Sequence, residues 1–176
     1  MEHVELLSFD PYEHKNQYNC LGWAMQKITG SYRHEQPDER TDDNLRAAEI
    51  AKKYIENNTR STVEILDHIP SVTELEDNQY FIAVRTNSSK DAHFIRSDLE
   101  EGKLVWTQKI GYQGPLVKLV DITPEDEEAW YTYQVAPVKG NPSVFCLAIE
   151  VEKASYARPT CYLKVTIKPP LSCTLL

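Results

Sequence analysis

Cys20 is the residue of this chain whose sequence position best suits a nucleophile. The apolar spacing after it predicts a helix that begins at Cys20 and ends before Gly30. The aligned peptide dipoles and unpaired N–H groups at a helix N-terminus favour a thiolate, and the same N–H groups can bind an oxyanion. A buried structural cysteine is the alternative, because free cysteine is among the most buried residue types.

A general base for this thiol is expected at His93. It is the only one of the five histidines that falls within a predicted strand, and the others are His3, His14, His34 and His68. Side-chain alternation sends His93 and Ile95 to one face of that strand and Phe94 to the other. A strand can hold an imidazole within hydrogen-bond reach of a thiol on a packed helix, although a half-buried structural histidine has the same pattern.

A third residue usually fixes the imidazole tautomer through the second ring nitrogen. The neighbouring strand offers Gln108 for this role, with Thr107 and Asp98 as less favoured choices. His14, six residues before Cys20, is a rival base, but it falls in a predicted loop.

The elements that must position these residues are two helices followed by strands. A second helix is predicted to open at Asp42 or Asp43 and to run to about Asn57. A brief helix is predicted after Thr123-Pro124. The predicted strands are 62–66, 80–85, 92–97, 104–108, 116–120, 144–151 and 161–167, with a hairpin turn at 100–102. Helices before an antiparallel sheet indicate the α+β class.

Three short segments resemble the bacterial papain-like, NlpC-related cysteine hydrolases. They are Tyr18-Asn19-Cys20-Leu21-Gly22-Trp23-Ala24, Asp91-Ala92-His93-Phe94-Ile95-Arg96-Ser97-Asp98 and Trp106-Thr107-Gln108-Lys109-Ile110-Gly111. The resemblance spans about 16–115 and leaves 116–176 as additional strands and a short helix, which extend the sheet or bind substrate.

The resemblance implies a papain-like fold in which Cys20 is the nucleophile, His93 the base and Gln108 the polar third residue. Asn19, or the backbone N–H of Cys20, would stabilise the oxyanion. Relatives often carry histidine or another amide at the position of Gln108. An uncharged amide orients an imidazole but does not stabilise an imidazolium as a carboxylate would.

Composition limits the class of protein. The chain has 176 residues, a size that suits a single domain over 1–176, and a formal net charge of -8, which argues against broad nucleic-acid contact. No metal or cofactor motif is present in the sequence. Cys146 and Cys161 lie in strand patterns among apolar neighbours and are predicted to be core residues, and no cysteine spacing indicates a disulfide scaffold.

The ends of the chain carry no membrane-spanning pattern. The start, Met1-Glu2-His3-Val4-Glu5, does not resemble a secretory signal, so the protein is expected to be cytoplasmic as made. The end, Cys173-Thr174-Leu175-Leu176, fits a prenylation pattern loosely; prenylated Cys173 would give weak membrane association.

The expected function is hydrolysis of an amide bond in a protein or peptide through a Cys-His dyad. A peptidase, an amidase and a deamidase all fit, as does an effector or toxin that leaves the cell by a signal-independent route. Two alternatives remain open: a papain-like binding module without chemistry, favoured by the uncharged Gln108, and an acyltransferase that uses the same dyad.

Overall fold

The computed structural model describes residues 3–8, 19–29, 37–110, 115–152 and 155–169. These residues form two α-helices, nine strands and two short 3₁₀ helices, Val72–Glu74 and Glu127–Trp130. Helix α1 is Cys20–Thr29 and helix α2 is Asn44–Asn58. The strands are β1 Val4–Ser8, β2 Thr62–Leu66, β3 Gln79–Thr86, β4 Ala92–Glu100, β5 Lys103–Lys109, β6 Leu116–Leu119, β7 Thr132–Val138, β8 Asn141–Glu152 and β9 Cys161–Thr166.

The two longer predicted helices are present, with the predicted ends. Asp43 caps α2, because its side chain accepts a hydrogen bond from the backbone N–H of Arg46 at 2.7 Å. On the side of α2 that faces the sheet, Ala48 and Ile55 are fully buried, and Ile50 and Tyr54 are half-buried. Helix α2 packs on β2, β3 and β9, and α1 packs on β4 and β5.

Seven strands form one sheet in the order β1-β6-β5-β4-β3-β9-β2, and every pair in it is antiparallel. The α+β class is therefore confirmed. The β4–β5 hairpin is confirmed as well, with its turn at Glu101-Gly102. It occupies the middle of the sheet, where β4 has partners on both sides.

Several sequence predictions of the elements were wrong. Strand β1 precedes the helices, so the helices do not come first, and β7 was not predicted. The predicted strands 144–151 and 161–167 are present: they are β8, which pairs with β7 as a separate two-stranded ribbon, and β9, which inserts between β3 and β2. The predicted helix after Thr123 is only the 3₁₀ turn Glu127–Trp130. The side chains of Arg85 and Trp130 both donate hydrogen bonds to the carbonyl oxygen of Pro124, and these bonds hold the segment against the sheet.

The sheet has an apolar cluster on each face. Phe94 belongs to the helix-side cluster with residues of α1 and α2, and Ile95 belongs to the opposite cluster with Trp130. The predicted alternation of β4 is therefore confirmed. The helix-side cluster anchors α1 through Tyr80, whose hydroxyl donates to the carbonyl of Ala24 at 2.8 Å.

Candidate functional site

Cys20 is the first residue of α1, and Asn19 makes the helix begin there. The Asn19 Oδ1 accepts from the backbone N–H of Gly22 at 2.8 Å, and the Asn19 carbonyl accepts from Trp23 N at 2.9 Å. The carboxamide oxygen of Asn19 is thus engaged in capping. A contribution of Asn19 to oxyanion stabilisation would therefore come from its Nδ2 group, and this role stays a prediction.

The Cys20 thiol is 4% exposed, and its Sγ donates to the carbonyl of Ala92 at 3.7 Å. Burial raises the pKa of Cys20 to about 12; the backbone N–H groups of Phe94, Leu21 and Cys20 itself act in the opposite direction. The expectation of a thiolate at the helix N-terminus is therefore corrected. Loss of water outweighs the helix N–H groups, so the resting group is a neutral thiol.

His93 and Gln108 are joined directly, as the sequence predicted. The His93 Nε2 lies 2.6 Å from Gln108 Oε1, and the Gln108 Nε2 donates to the carbonyl of Ala129 at 2.7 Å. Both side chains are buried. Because Ala129 O can only accept, Gln108 must present its oxygen to His93, and the proton of that hydrogen bond must be on His93 Nε2.

The hydrogen bond between His93 and Gln108 also determines which ring nitrogen of His93 can act as a base. Burial lowers the pKa of His93, although the hydrogen bond to Gln108 and the charge of Asp91 act in the opposite direction. A neutral imidazole with its proton on Nε2 has a free electron pair on Nδ1. Gln108 therefore holds His93 in the tautomer whose Nδ1 can accept a proton.

Cys20 and His93 line one cavity of about 380 Å³, together with Asp91, Trp130 and Tyr156. No hydrogen bond joins the Cys20 Sγ to His93 among the residues that the structure describes. His93 projects from the face of β4 opposite α1, and Cys20 reaches the cavity around the start of β4, beside Ala92.

Two aromatic rings enclose the imidazole. The Trp130 ring meets His93 edge-on, with centroids 6.1 Å apart and an interplanar angle of 80°, and the Tyr156 ring lies 5.5 Å away at 33°. These rings exclude water from His93, which explains the downward direction of its pKa. Neither ring was singled out from the sequence, because both come from segments far from His93 in the chain.

Asp91 supplies a negative charge near His93 and Cys20. Its Oδ2 accepts a hydrogen bond from the Tyr156 hydroxyl at 3.2 Å, and its charge raises the pKa of both His93 and Cys20. Asp91 therefore provides the negative charge that can stabilise an imidazolium, which the uncharged Gln108 does not provide. The position of Asp91 in the motif before His93 was the available sequence signal, but no role was predicted for it.

The two less favoured partners of His93 lie elsewhere. Thr107 accepts from the Trp23 indole N–H at 3.1 Å and donates to Asp98 at 3.0 Å. Asp98 also pairs with Arg96 at 3.1 Å and with Lys27 at 2.8 Å. These side chains attach α1 to the β4–β5 hairpin, which leaves Gln108 as the partner of His93.

A buried asparagine holds the segment that carries Tyr156. The Asn44 Nδ2 donates to the carbonyls of Ala157 and Pro159 at 2.7 and 2.6 Å, and its Oδ1 accepts from the backbone N–H and the hydroxyl of Thr86, both at 2.7 Å. Ala157 N also donates to the Thr86 carbonyl at 2.8 Å. Helix α2 and β3 thereby fix the chain next to Tyr156.

The other two cysteines in the described ranges, Cys146 and Cys161, do not line the cavity. Cys146 is exposed on β8 and Cys161 is partly buried, so the prediction that both are core residues was wrong for Cys146. Strand β8 belongs to a two-stranded ribbon, which leaves the Cys146 side chain in solvent. His14 and Cys173 lie outside the described residues, as does the tail considered for prenylation.

Within the described ranges, no group of three His, Cys, Asp or Glu residues is arranged to hold a metal ion. None of the helices in those ranges is both long and apolar enough to cross a membrane.

No family model, no curated protein and no solved structure matches this chain. A proposal about its function therefore depends on the site geometry.

Proposed function

We propose that this chain is a papain-like cysteine hydrolase that cleaves an amide bond in a protein or peptide. The observation that carries the proposal is the pair of hydrogen bonds at Gln108, which hold the proton on His93 Nε2 and leave Nδ1 as the base. That base lines the same cavity as the only thiol at a helix N-terminus among the described residues.

In the proposed reaction the Cys20 Sγ attacks the carbonyl carbon while the thiol proton moves to His93 Nδ1. The carbonyl electron pair moves to the oxygen, which is stabilised by the N–H of Cys20. The oxyanion collapses, the C–N bond breaks, and the amine leaves with the proton from His93. Water then attacks the thioester, giving its proton to His93, and the acid is released as the proton returns to the sulfur.

The resting state in this proposal is a neutral pair. Because burial raises the pKa of Cys20 and lowers that of His93, proton transfer accompanies attack on the substrate and does not precede it. Asp91 supports this step, since its charge favours the imidazolium that forms.

The competing proposal is a binding module that has lost its chemistry. Two observations favour it: the thiol is buried, and it donates to the Ala92 carbonyl and not to His93. The cavity would then bind a peptide without cleaving it.

Hydrolysis of p-nitrophenyl acetate separates these proposals. We expect the wild-type protein to release p-nitrophenolate above the buffer rate, and Cys20→Ala to fall close to that rate because the proposed acyl acceptor in the cavity is lost. Cys146→Ala is the matched control, since it removes an exposed thiol far from the cavity, and it should retain the wild-type rate.

Wild-type release no faster than buffer would instead favour the binding module. Equal rates for the wild type and a folded Cys20→Ala variant would exclude Cys20 as the nucleophile.

A further inference from the structure

A second, smaller cavity adjoins the candidate site on the helix side. Its volume is about 40 Å³, and it shares Arg40, Asp91 and Ala92 with the cavity that contains Cys20. The two cavities are therefore neighbours across the start of β4. A molecule bound to Cys20 can place one group in each.

The floor of the smaller cavity is apolar. Leu21, Ala47, Ala51 and Phe94 line it and are all buried, and the partly buried Ile50 completes the wall. The charged side chains Glu39, Arg40 and Lys90 lie at the exposed rim, and the half-buried Asp91 lies where the two cavities meet. An apolar floor without a buried charge selects an aliphatic group, because a polar group would lose its water without gaining a partner.

The volume limits the size of that group. One water molecule requires about 10–15 Å³, whereas a cavity that binds benzene has about 150 Å³. A cavity of about 40 Å³ therefore suits a small branched aliphatic group better than an aromatic ring.

We propose that this cavity is a specificity subsite for the acyl part of the substrate. It binds a small aliphatic side chain, of alanine to valine size, on the residue whose carbonyl is attacked by Cys20. Leu21 supports this placement, since it follows Cys20 directly and forms part of the cavity wall. The inference rests on the proposed hydrolase function and names its substrate class.

The test uses p-nitrophenyl esters of N-acetylated glycine, alanine, valine, leucine and phenylalanine with the full chain. Each kcat/KM is divided by the rate of the same ester in buffer. We expect the valine ester to exceed the glycine ester by at least about 10- to 200-fold and phenylalanine to be disfavoured, because a single methylene in an apolar pocket already discriminates by that amount.

Two variants change the size of the cavity in opposite directions. Ile50→Ala should enlarge it and raise the leucine-to-valine ratio about tenfold, whereas Ala51→Val should fill it and lower the valine-to-glycine ratio by a similar factor. Leu45→Ala is the control, because Leu45 is an exposed residue of α2 outside the cavity and its loss should leave both ratios unchanged.

The outcomes are distinguishable. If none of the esters reacts at Cys20, the hydrolase proposal fails, and the subsite proposal fails with it. If the glycine ester reacts but side-chain size has no effect, or if neither Ile50→Ala nor Ala51→Val shifts the ratios, the subsite is overturned while the hydrolase proposal stands.

Discussion

His93→Ala is expected to slow acylation of Cys20 by p-nitrophenyl acetate by about 10²- to 10⁴-fold at neutral pH, the usual contribution of a positioned general base. The wild-type rate should rise with pH as His93 loses its proton. Because burial lowers the pKa of His93, this rise should occur below the ordinary imidazole pKa of 6.5, and the rate should be level through neutrality. The variant should lack this level region. Its rate should keep rising with pH, because only the thiolate of a group with a pKa of about 12 can then react.

The control for this prediction is His68→Ala. His68 is an exposed histidine that contacts Asp67 and Glu74 and does not line the cavity. The His68→Ala variant should keep both the wild-type rate and the wild-type pH profile, measured as p-nitrophenolate release over pH 5 to 10. A level region in the His93→Ala profile would show that another group acts as the base.

Asn44→Ala is expected to lower the free energy of unfolding by about 2–5 kcal/mol, because it leaves buried partners unpaired. The carbonyls of Ala157 and Pro159 lose their donor, and Thr86 loses the acceptor for its N–H and hydroxyl. Urea unfolding of both proteins measures the change.

The matched control is Asn57→Ala, at an exposed position of the same helix. It should change the free energy of unfolding by no more than about 0.5 kcal/mol. Since the Asn44 bonds also hold the segment of Tyr156, folded Asn44→Ala protein should acylate Cys20 more slowly than Asn57→Ala. Equal unfolding free energies for the two variants would contradict the structural role of Asn44.

The elements around Cys20 and His93 could be predicted because their signals are local. Asp43 caps α2, the apolar spacing after Cys20 specifies α1, and the two alternating segments joined by Glu101-Gly102 specify the β4–β5 hairpin. The register of that hairpin places Gln108 opposite Ile95, which brings its side chain to the face that His93 occupies.

The rest of the site depends on contacts between distant segments, and these leave no local pattern. Strand β9, from near the end of the chain, inserts between β3 and the edge strand β2, and the segment that precedes it brings Tyr156 against His93. The charge state of Cys20 is equally non-local. It results from the burial of the thiol among many neighbours, whereas the sequence shows only the helix N-terminus.

The most direct test of the proposed hydrolase is the position of the acyl group during turnover. Wild-type protein is mixed with p-nitrophenyl acetate, quenched with acid within the first turnover and mapped by peptide mass spectrometry. We predict one acetyl group, on Cys20, and none on Cys20 of His93→Ala at the same time point. An acetyl group on the exposed Cys146 with Cys20 unmodified would contradict the account.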